Sequence, residues 1–398
     1  MNKSIKELLV LHFLNDGIRT TFVSMLPFIA KDLSFSLASV GFLGSAQPLL
    51  ASILALPTGF VAARIGGFHL LTTLLLVYSA GAVITAFSQS FLTVVGAFML
   101  GALGFGMFHT VGFSLVAKNS KDTNIGQNMG EFTSVGDIGR VLIPPLAVFL
   151  AGLFGWRVAM LILATFGLLS FAILHFVKPK ETYGIEGKKL DKETHKDFLI
   201  HLTRLLKDKK LLLIMTTAII DSLASGAIYI FLPFLLFAKG VNVAQYGIAI
   251  AMFFAGSLFG KIVLGRGVDK IGNVKVFIFS EVLMAITLLL LTFFSHYLIL
   301  LLFSFLLGFF TKGTSPVVQT MFSQVAKKIH YNKIYALSEL SIGVSALIAI
   351  VLMGVIADRI GIVFVFYTAC VFALLAIFPA LFLSKMEKEI DNFVILNK

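Results

Sequence analysis

Apolar runs of about 20 residues recur along almost the whole chain, separated by short polar punctuation; about 20 residues is the length a helix needs to cross roughly 30 Å of hydrocarbon. The pattern predicts helices at 5–30, 37–64, 67–87, 91–119, 125–153, 155–178, 210–238, 243–268, 273–294, 297–325, 331–358 and 360–384. Between the sixth and seventh lies the one long polar connection, about Lys178 to Lys210. Its stretch Phe198, Leu199, Leu202, Leu205, Leu206 against His201, Arg204, Lys207 is amphipathic and is expected to lie on a leaflet surface.

Sliding the second half onto the first at an offset of 206 brings Pro27-Phe28 onto Pro233-Phe234, Gly41 onto Gly247, Gly59 onto Gly265, Gly66 onto Gly272 and Gly155 onto Gly361. Five coincidences at one offset, in the same span order, indicate a duplicated six-helix unit. The expected fold is an all-α integral membrane protein of twelve transmembrane helices in two pseudo-symmetric six-helix bundles: residues 1–178, a linker over 179–209, and residues 210–398 including a short tail. Parallel repeats of this kind place a solute site between the halves near the midplane.

Composition agrees: 58% apolar and 13% charged residues, with mean hydropathy +0.98, make the bilayer the solvent of this chain. The formal charge of +12 would suit a nucleic-acid partner if it were clustered, but its placement reads as an orientation signal. With the N-terminus inside, 24 of the 32 Lys and Arg fall on the inner side, four outside (Lys31, Arg157, Lys239, Arg359) and four within spans (Arg19, Arg140, Lys261, Lys312). That bias predicts a multi-pass protein of the cell (inner) membrane with both termini cytoplasmic, and no nucleic-acid partner. The first apolar segment carries His12, Asn15, Asp16 and Arg19 and no small-residue cleavage site, so it is expected to be a span and not a signal peptide. The single cysteine, Cys370, allows no intramolecular disulfide and is expected to fill core. Trp156, beside Arg157 at a span end, is expected to anchor at the interface.

Two loops narrow the class. Gly59-Phe-Val-Ala-Ala-Arg64-Ile-Gly66 and Gly265-Arg-Gly-Val-Asp269-Lys270-Ile-Gly272-Asn-Val-Lys275 resemble the G-x-x-x-D-R/K-x-G-x-x-x signature of the major facilitator superfamily, with Ala63 standing where the family has its acidic residue. His12-Phe-Leu-Asn15-Asp16 followed by Pro27, with Gly101-Ala-Leu-Gly104-Phe-Gly106-Met-Phe108-His109, resembles the fosmidomycin-resistance-like branch. The resemblance implies a monomeric secondary transporter working by alternating access, a cavity lined by spans one, four, seven and ten, membrane lipid and a small molecule as partners, and proton-coupled drug or metabolite efflux. No cofactor and no metal are expected.

Within the first span, His12, Asn15, Asp16 and Arg19 follow i, i+3, i+4, i+7 spacing and share a face. An ionised side chain at the bilayer centre costs at least about 2.5 kcal/mol, so that face must look inward. Asp16, with His12, His109 and Asp137, is the expected proton-coupling group, and Asn15, Arg19, Arg140, Asp221, Tyr229, Lys312 and Gln319 are the expected substrate contacts. An internally satisfied structural stripe is the alternative for the first span, as is a static Asp137–Arg140 pair three residues apart. Lys312 is expected either to find a carboxylate, Asp221, or to face substrate. Lys261 and Glu281 are expected to form a structural ion pair, and Glu131, Asp269 and Glu339 to serve as gating or structural charges. Phe22, Phe105, Phe108 or Phe231 facing the cavity would favour an amphiphilic substrate.

The chain contains no H-E-x-x-H, no nucleophile elbow and no G-x-x-x-x-G-K-S/T loop, which argues against a membrane enzyme and an ATP-driven pump. Two functions lead: proton-coupled export of a small amphiphilic compound, and uptake or exchange of a small anionic metabolite through a basic centre made by Arg19, Arg140 and Lys312; a passive channel or lipid scramblase explains the duplication and the buried charges less well.

Overall fold

The computed structural model describes residues 3–119, 125–177, 206–325 and 331–396. Twelve helical passes stand among the described residues, and no strand. The first bundle comprises Lys3–Asp32, Leu37–Ile65, Gly67–Phe87, Phe91–Asn119, Ile125–Phe154 and Trp156–Ala172, the last continuing through a π-helical turn Ile173–Val177 (spans one to six). The second comprises Lys209–Ser225 with Ile228–Ala238 (span seven), Val243–Ile271, Asn273–Phe293, Tyr297–Gly313 with Ser315–Ser323 (span ten), Tyr331–Arg359 and Ile362–Leu396. Among the described residues ten stretches are long and apolar enough to cross a membrane. The first pass falls short on composition alone, because its inward stripe is charged.

The duplication is visible in the backbone. Leu37–Ile65 and Val243–Ile271 begin and end 206 residues apart, as do Gly67–Phe87 and Asn273–Phe293. Each second pass is opened by a side-chain cap, Ser36 on Ser39 N and Asn242 in a capping box with Gln245. Each is closed by a glycine at φ +88°, Gly66 and Gly272, where a Cβ would be strained.

Two spans expected to be continuous are broken. Span seven turns at Gly226–Ala227 and span ten at Thr314, just before Pro316, which lacks the N–H that would continue the ladder. Broken helices are tolerated at membrane depth where they are buried in protein or line a cavity, and both breaks do the latter. Trp156 stands at the start of span six. It is 6% exposed and donates from Nε1 to Asp32 Oδ2 at 3.3 Å, while Arg157 pairs with the same carboxylate and stacks on the indole. It therefore ties the start of span six to the end of span one, where Arg157 and Asp32 are 40% and 44% exposed. Nearly all of the linker, with its amphipathic stretch, lies outside the described residues.

Apolar side chains left exposed run along outward faces, as Leu142, Leu146, Phe149 and Leu153 do on span five, consistent with lipid as their neighbour. The bundles meet at the end away from the termini. Gly41 and Gly354 let spans two and eleven touch, a Cβ on Gly41 falling 2.7 Å from the Ile350 carbonyl oxygen. Leu37 N donates to Asp358 Oδ1 at 3.2 Å, Tyr246 O–H to the Ser24 carbonyl at 3.3 Å, and Phe28 packs on Phe237 and Tyr246.

Candidate functional site

Spans one and five are brought together by glycines that leave room for backbone. A Cβ on Gly139 would collide with the Phe13 carbonyl oxygen, and one on Gly136 would lie 2.7 Å from both His12 Nε2 and Asp16 Oδ2. This close approach, worth most in lipid where small residues let helices pack by dispersion, sets Arg140 against Asp16.

Asp16 is 1% exposed and is held from four directions. Arg140 Nη2 lies 2.6 Å from Oδ2, His12 Nε2 3.2 Å from the same oxygen, Asn15 Nδ2 donates to Oδ1 at 2.9 Å, and His109 Nε2 stands 3.6 Å from Oδ1. Tyr78 O–H on span three donates to Asn15 Oδ1 at 2.8 Å and so orients that amide.

His12 is fixed by its other nitrogen. Nδ1 sits 2.6 Å from the Phe132 carbonyl oxygen, which can only accept, so the Nδ1 proton is assigned by that bond. The ring is stacked between Phe108 and Phe132. With Nδ1 donating, a neutral His12 presents a bare lone pair at Nε2 to Asp16 Oδ2, and also to His109 Nε2 at 3.3 Å. A lone pair facing the Asp16 carboxylate at this range is repulsive, whereas a neutral His109 in its Nε2–H tautomer can donate to either group.

The ligand atoms of His12, Asp16 and His109 lie within 4.8 Å of one another, close enough to converge on an ion. The Asp16 carboxylate is already matched by the Arg140 guanidinium at 2.6 Å, which would repel a divalent cation placed among the three.

A chain of charges leads from this site across the protein. Arg140 Nη1 lies 2.7 Å from Asp137 Oδ1, and the other Asp137 oxygen takes Lys261 Nζ of span eight at 2.6 Å. Asp16, Arg140, Asp137 and Lys261 thus form one alternating line from the first bundle into the second. Lys261 does not pair with Glu281, as expected from sequence, because span eight turns it toward span five. The expected Asp137–Arg140 pair is present.

Beside this line lies a cavity of about 290 Å³ between the bundles. Span one gives it Arg19, span seven Asp221, Ser222, Ser225 and Tyr229, and span ten Thr311, Lys312 and Ser315. The Tyr229 hydroxyl is 2.6 Å from Ser24 Oγ and so also links the bundles. The first-span stripe therefore divides: His12, Asn15 and Asp16 turn into the first bundle, whereas Arg19, seven residues beyond His12, lines the cavity.

Other expected residues fall elsewhere. Gln319 accepts from Ser338 Oγ at 3.3 Å and is not among the cavity residues. Phe22, Phe108 and Phe231 are all within 1% of full burial in the core and do not line the cavity. Glu131 is half-buried near the start of span five. The side chains of Phe105, Asp269 and Glu339 lie outside those described. Sequence reading missed Tyr78, whose partner Asn15 is 63 positions away; its location in a span without Asp, Glu, Lys or Arg was the available signal.

The family model described as Major Facilitator Superfamily matches residues 8–236 and 214–395. The chain is 26% identical over 381 residues to an uncharacterized MFS-type transporter, YtbD, of Bacillus subtilis (strain 168), covering 91% of each. It is 24% identical over 234 residues to the minor myo-inositol transporter IolF of the same organism, spanning 55% of this chain and only 53% of that protein. Among solved structures it resembles a bacterial homolog of the human lysosomal transporter Spinster in an inward-facing, occupied conformation (TM-score 0.78, 13% identity, 96% of both chains). It also resembles the nucleoside transporter NupG (TM-score 0.81, 11% identity, 96% of this chain and 100% of that one).

Proposed function

This chain belongs to the major facilitator superfamily and is a multi-pass membrane transporter of a small-molecule substrate, not an enzyme; from that premise we propose that it couples solute movement to protons through Asp16, with His12 and His109 as the groups that share its proton. The observation that carries this is the contact of His12 Nε2 with Asp16 Oδ2 at 3.2 Å while His12 Nδ1 is committed to the Phe132 carbonyl.

The coupling runs through Arg140. While Asp16 is ionised, the guanidinium divides between Asp16 and Asp137. A proton on Asp16 removes half of that attraction, so Arg140 moves fully onto Asp137 and competes with Lys261 for it. Because the Asp137–Lys261 pair joins the bundles, its weakening frees one bundle to rock against the other, the two-state element that alternating access needs.

For substrate, the lining favours a small hydroxylated organic anion. Arg19 and Lys312 supply positive charge, Ser222, Ser225, Tyr229, Thr311 and Ser315 supply hydroxyls, and Phe22, Phe108 and Phe231, which an amphiphilic drug would need in the cavity, are in the core. The inositol and nucleoside transport named for two similar proteins is compatible with those hydroxyls. Of the two sequence expectations this supports the anionic-metabolite class over drug efflux, and the kinship to the fosmidomycin-resistance-like branch rests on its two motifs alone. The charge bias supports the cell membrane with both termini cytoplasmic, and a monomer suffices because one chain supplies the whole cavity lining.

Proteoliposomes with a trapped pH dye test this, using a panel of sugar acids, phosphonates and lipophilic cations against wild type and Asp16→Asn. The expected result is an anion-evoked proton flux that Asp16→Asn abolishes, its sign giving the direction of transport. An anion carried by wild type with no proton movement would sink the reading.

A further inference from the structure

The second bundle contains buried acid that the proposed coupling does not use. Glu281, near the middle of span nine, is 0% exposed, and neither of its carboxyl oxygens has a hydrogen-bond partner. Asp221 on span seven is 8% exposed, lines the cavity, and has Oδ1 likewise unpartnered. The two carboxyls are close enough to interact; Lys312 is the other charged group facing Asp221, and Asp221 is the one facing Glu281. Span twelve, packed against both helices, adds small buried residues, Ala373 and Ala376.

An ionised carboxylate without donors in such a place would cost many kcal/mol, and a protein avoids that by keeping the group neutral. Two carboxyls sharing one site cannot both ionise, so they titrate as a pair. Glu281, out of reach of solvent, is the member that holds the proton; Asp221, open to the cavity and to Lys312, is the member that exchanges it.

The duplication places this pair in register with the first bundle. At the offset of 206, Asp221 stands where Asn15 does, next to the position of Asp16, and Glu281 lies three residues before the position of Tyr78, on the same helical face. Tyr78 and Asn15 make a neutral hydrogen bond between spans one and three. The second bundle has put two acids at the matching positions of spans seven and nine, an arrangement that helix packing alone would not select.

We propose that Asp221 and Glu281 form a second proton-binding site, distinct from the His12, Asp16 and His109 cluster, which takes up a proton when an anion binds beside Lys312. With one shared proton the pair bears a single negative charge that Lys312 balances. An anion approaching Lys312 meets that charge, and the repulsion is relieved when a proton from cavity water adds to Asp221, so anion and proton enter together. The anion part rests on the proposed substrate class; the proton site does not.

Infrared spectroscopy of the purified full chain in lipid, without substrate, tests the site directly. Wild type at neutral pH is expected to show a protonated-carboxyl C=O stretch that survives Asp16→Asn and disappears in Glu281→Gln, the neutral isostere of the acid. On acidification a further carboxyl band is expected in wild type and missing in Asp221→Asn, which also serves if Glu281→Gln does not fold. A wild-type spectrum with no protonated carboxyl that either variant removes would overturn the proposal. That failure is separate from failure of the coupling through Asp16, which the dye measurement reads on its own.

Discussion

Asp137 Oδ2 and Lys261 Nζ lie 2.6 Å apart across the two bundles, while the other oxygen of the same carboxylate holds Arg140 at 2.7 Å. The pair is asymmetric in its dependence. Lys261→Met leaves Asp137 matched by Arg140, whereas Asp137→Asn leaves Lys261 without its carboxylate. Removing one partner of a buried pair costs about 3 kcal/mol when the other charge is stranded. Thermal unfolding in detergent is therefore expected to fall more for Asp137→Asn than for Lys261→Met, and equal losses would show that Arg140 does not compensate.

The contact of spans one and five depends on the lack of side chains at two positions. Gly139→Ala drives a methyl into the Phe13 carbonyl and Gly136→Ala one into the His12–Asp16 contact. Overpacking of this kind costs about 1 to 3 kcal/mol. Both variants are expected to lower the unfolding temperature, and Gly136→Ala to lose proton-coupled flux as well because it separates the proton-sharing groups. Flux unchanged in Gly136→Ala would argue against that geometry.

Tyr78→Phe tests the support behind Asp16. It leaves Asn15 Oδ1, 0% exposed as a residue, without its donor, for an expected loss of about 1 kcal/mol. With Asn15 free to turn, the pH at which flux is half-maximal is expected to shift relative to wild type. A pH profile superimposable on wild type would make Tyr78 a purely structural residue.

Lys312 is expected to act on affinity. Lys312→Met should weaken binding of an organic anion about tenfold, equivalent to about 1.4 kcal/mol, and leave lipophilic cations unaffected, as read by isothermal titration in detergent. Equal effects on both classes would remove the basic-centre argument.

Much of the fold was legible before any coordinates, because a membrane span announces itself by local composition and the duplication by glycines and prolines at one offset. The positive-φ glycines Gly66 and Gly272 bear this out, since the backbone there has a requirement that only glycine meets cheaply. The breaks in spans seven and ten were less legible: Gly226 and Pro316 are visible, but a helix with either can run on if its neighbours satisfy the freed backbone groups. That Trp156 donates to Asp32 was not legible, because an aromatic beside an arginine at a span end looks the same whichever way its indole N–H turns.

The sequence by itself determined that His12, Asn15 and Asp16 share one face and must turn away from lipid, because helical spacing and the cost of burying charge are local facts. Only the tertiary structure decided what that face meets: Arg140 on Asp16, Lys261 on Asp137 and not on Glu281, and Glu281 left beside Asp221. Those partners are chosen by the rotation of one helix about its axis against another, which rests on close packing at positions such as Gly136 and Gly139, and that rotation is a property of two surfaces in contact that neither helix carries alone.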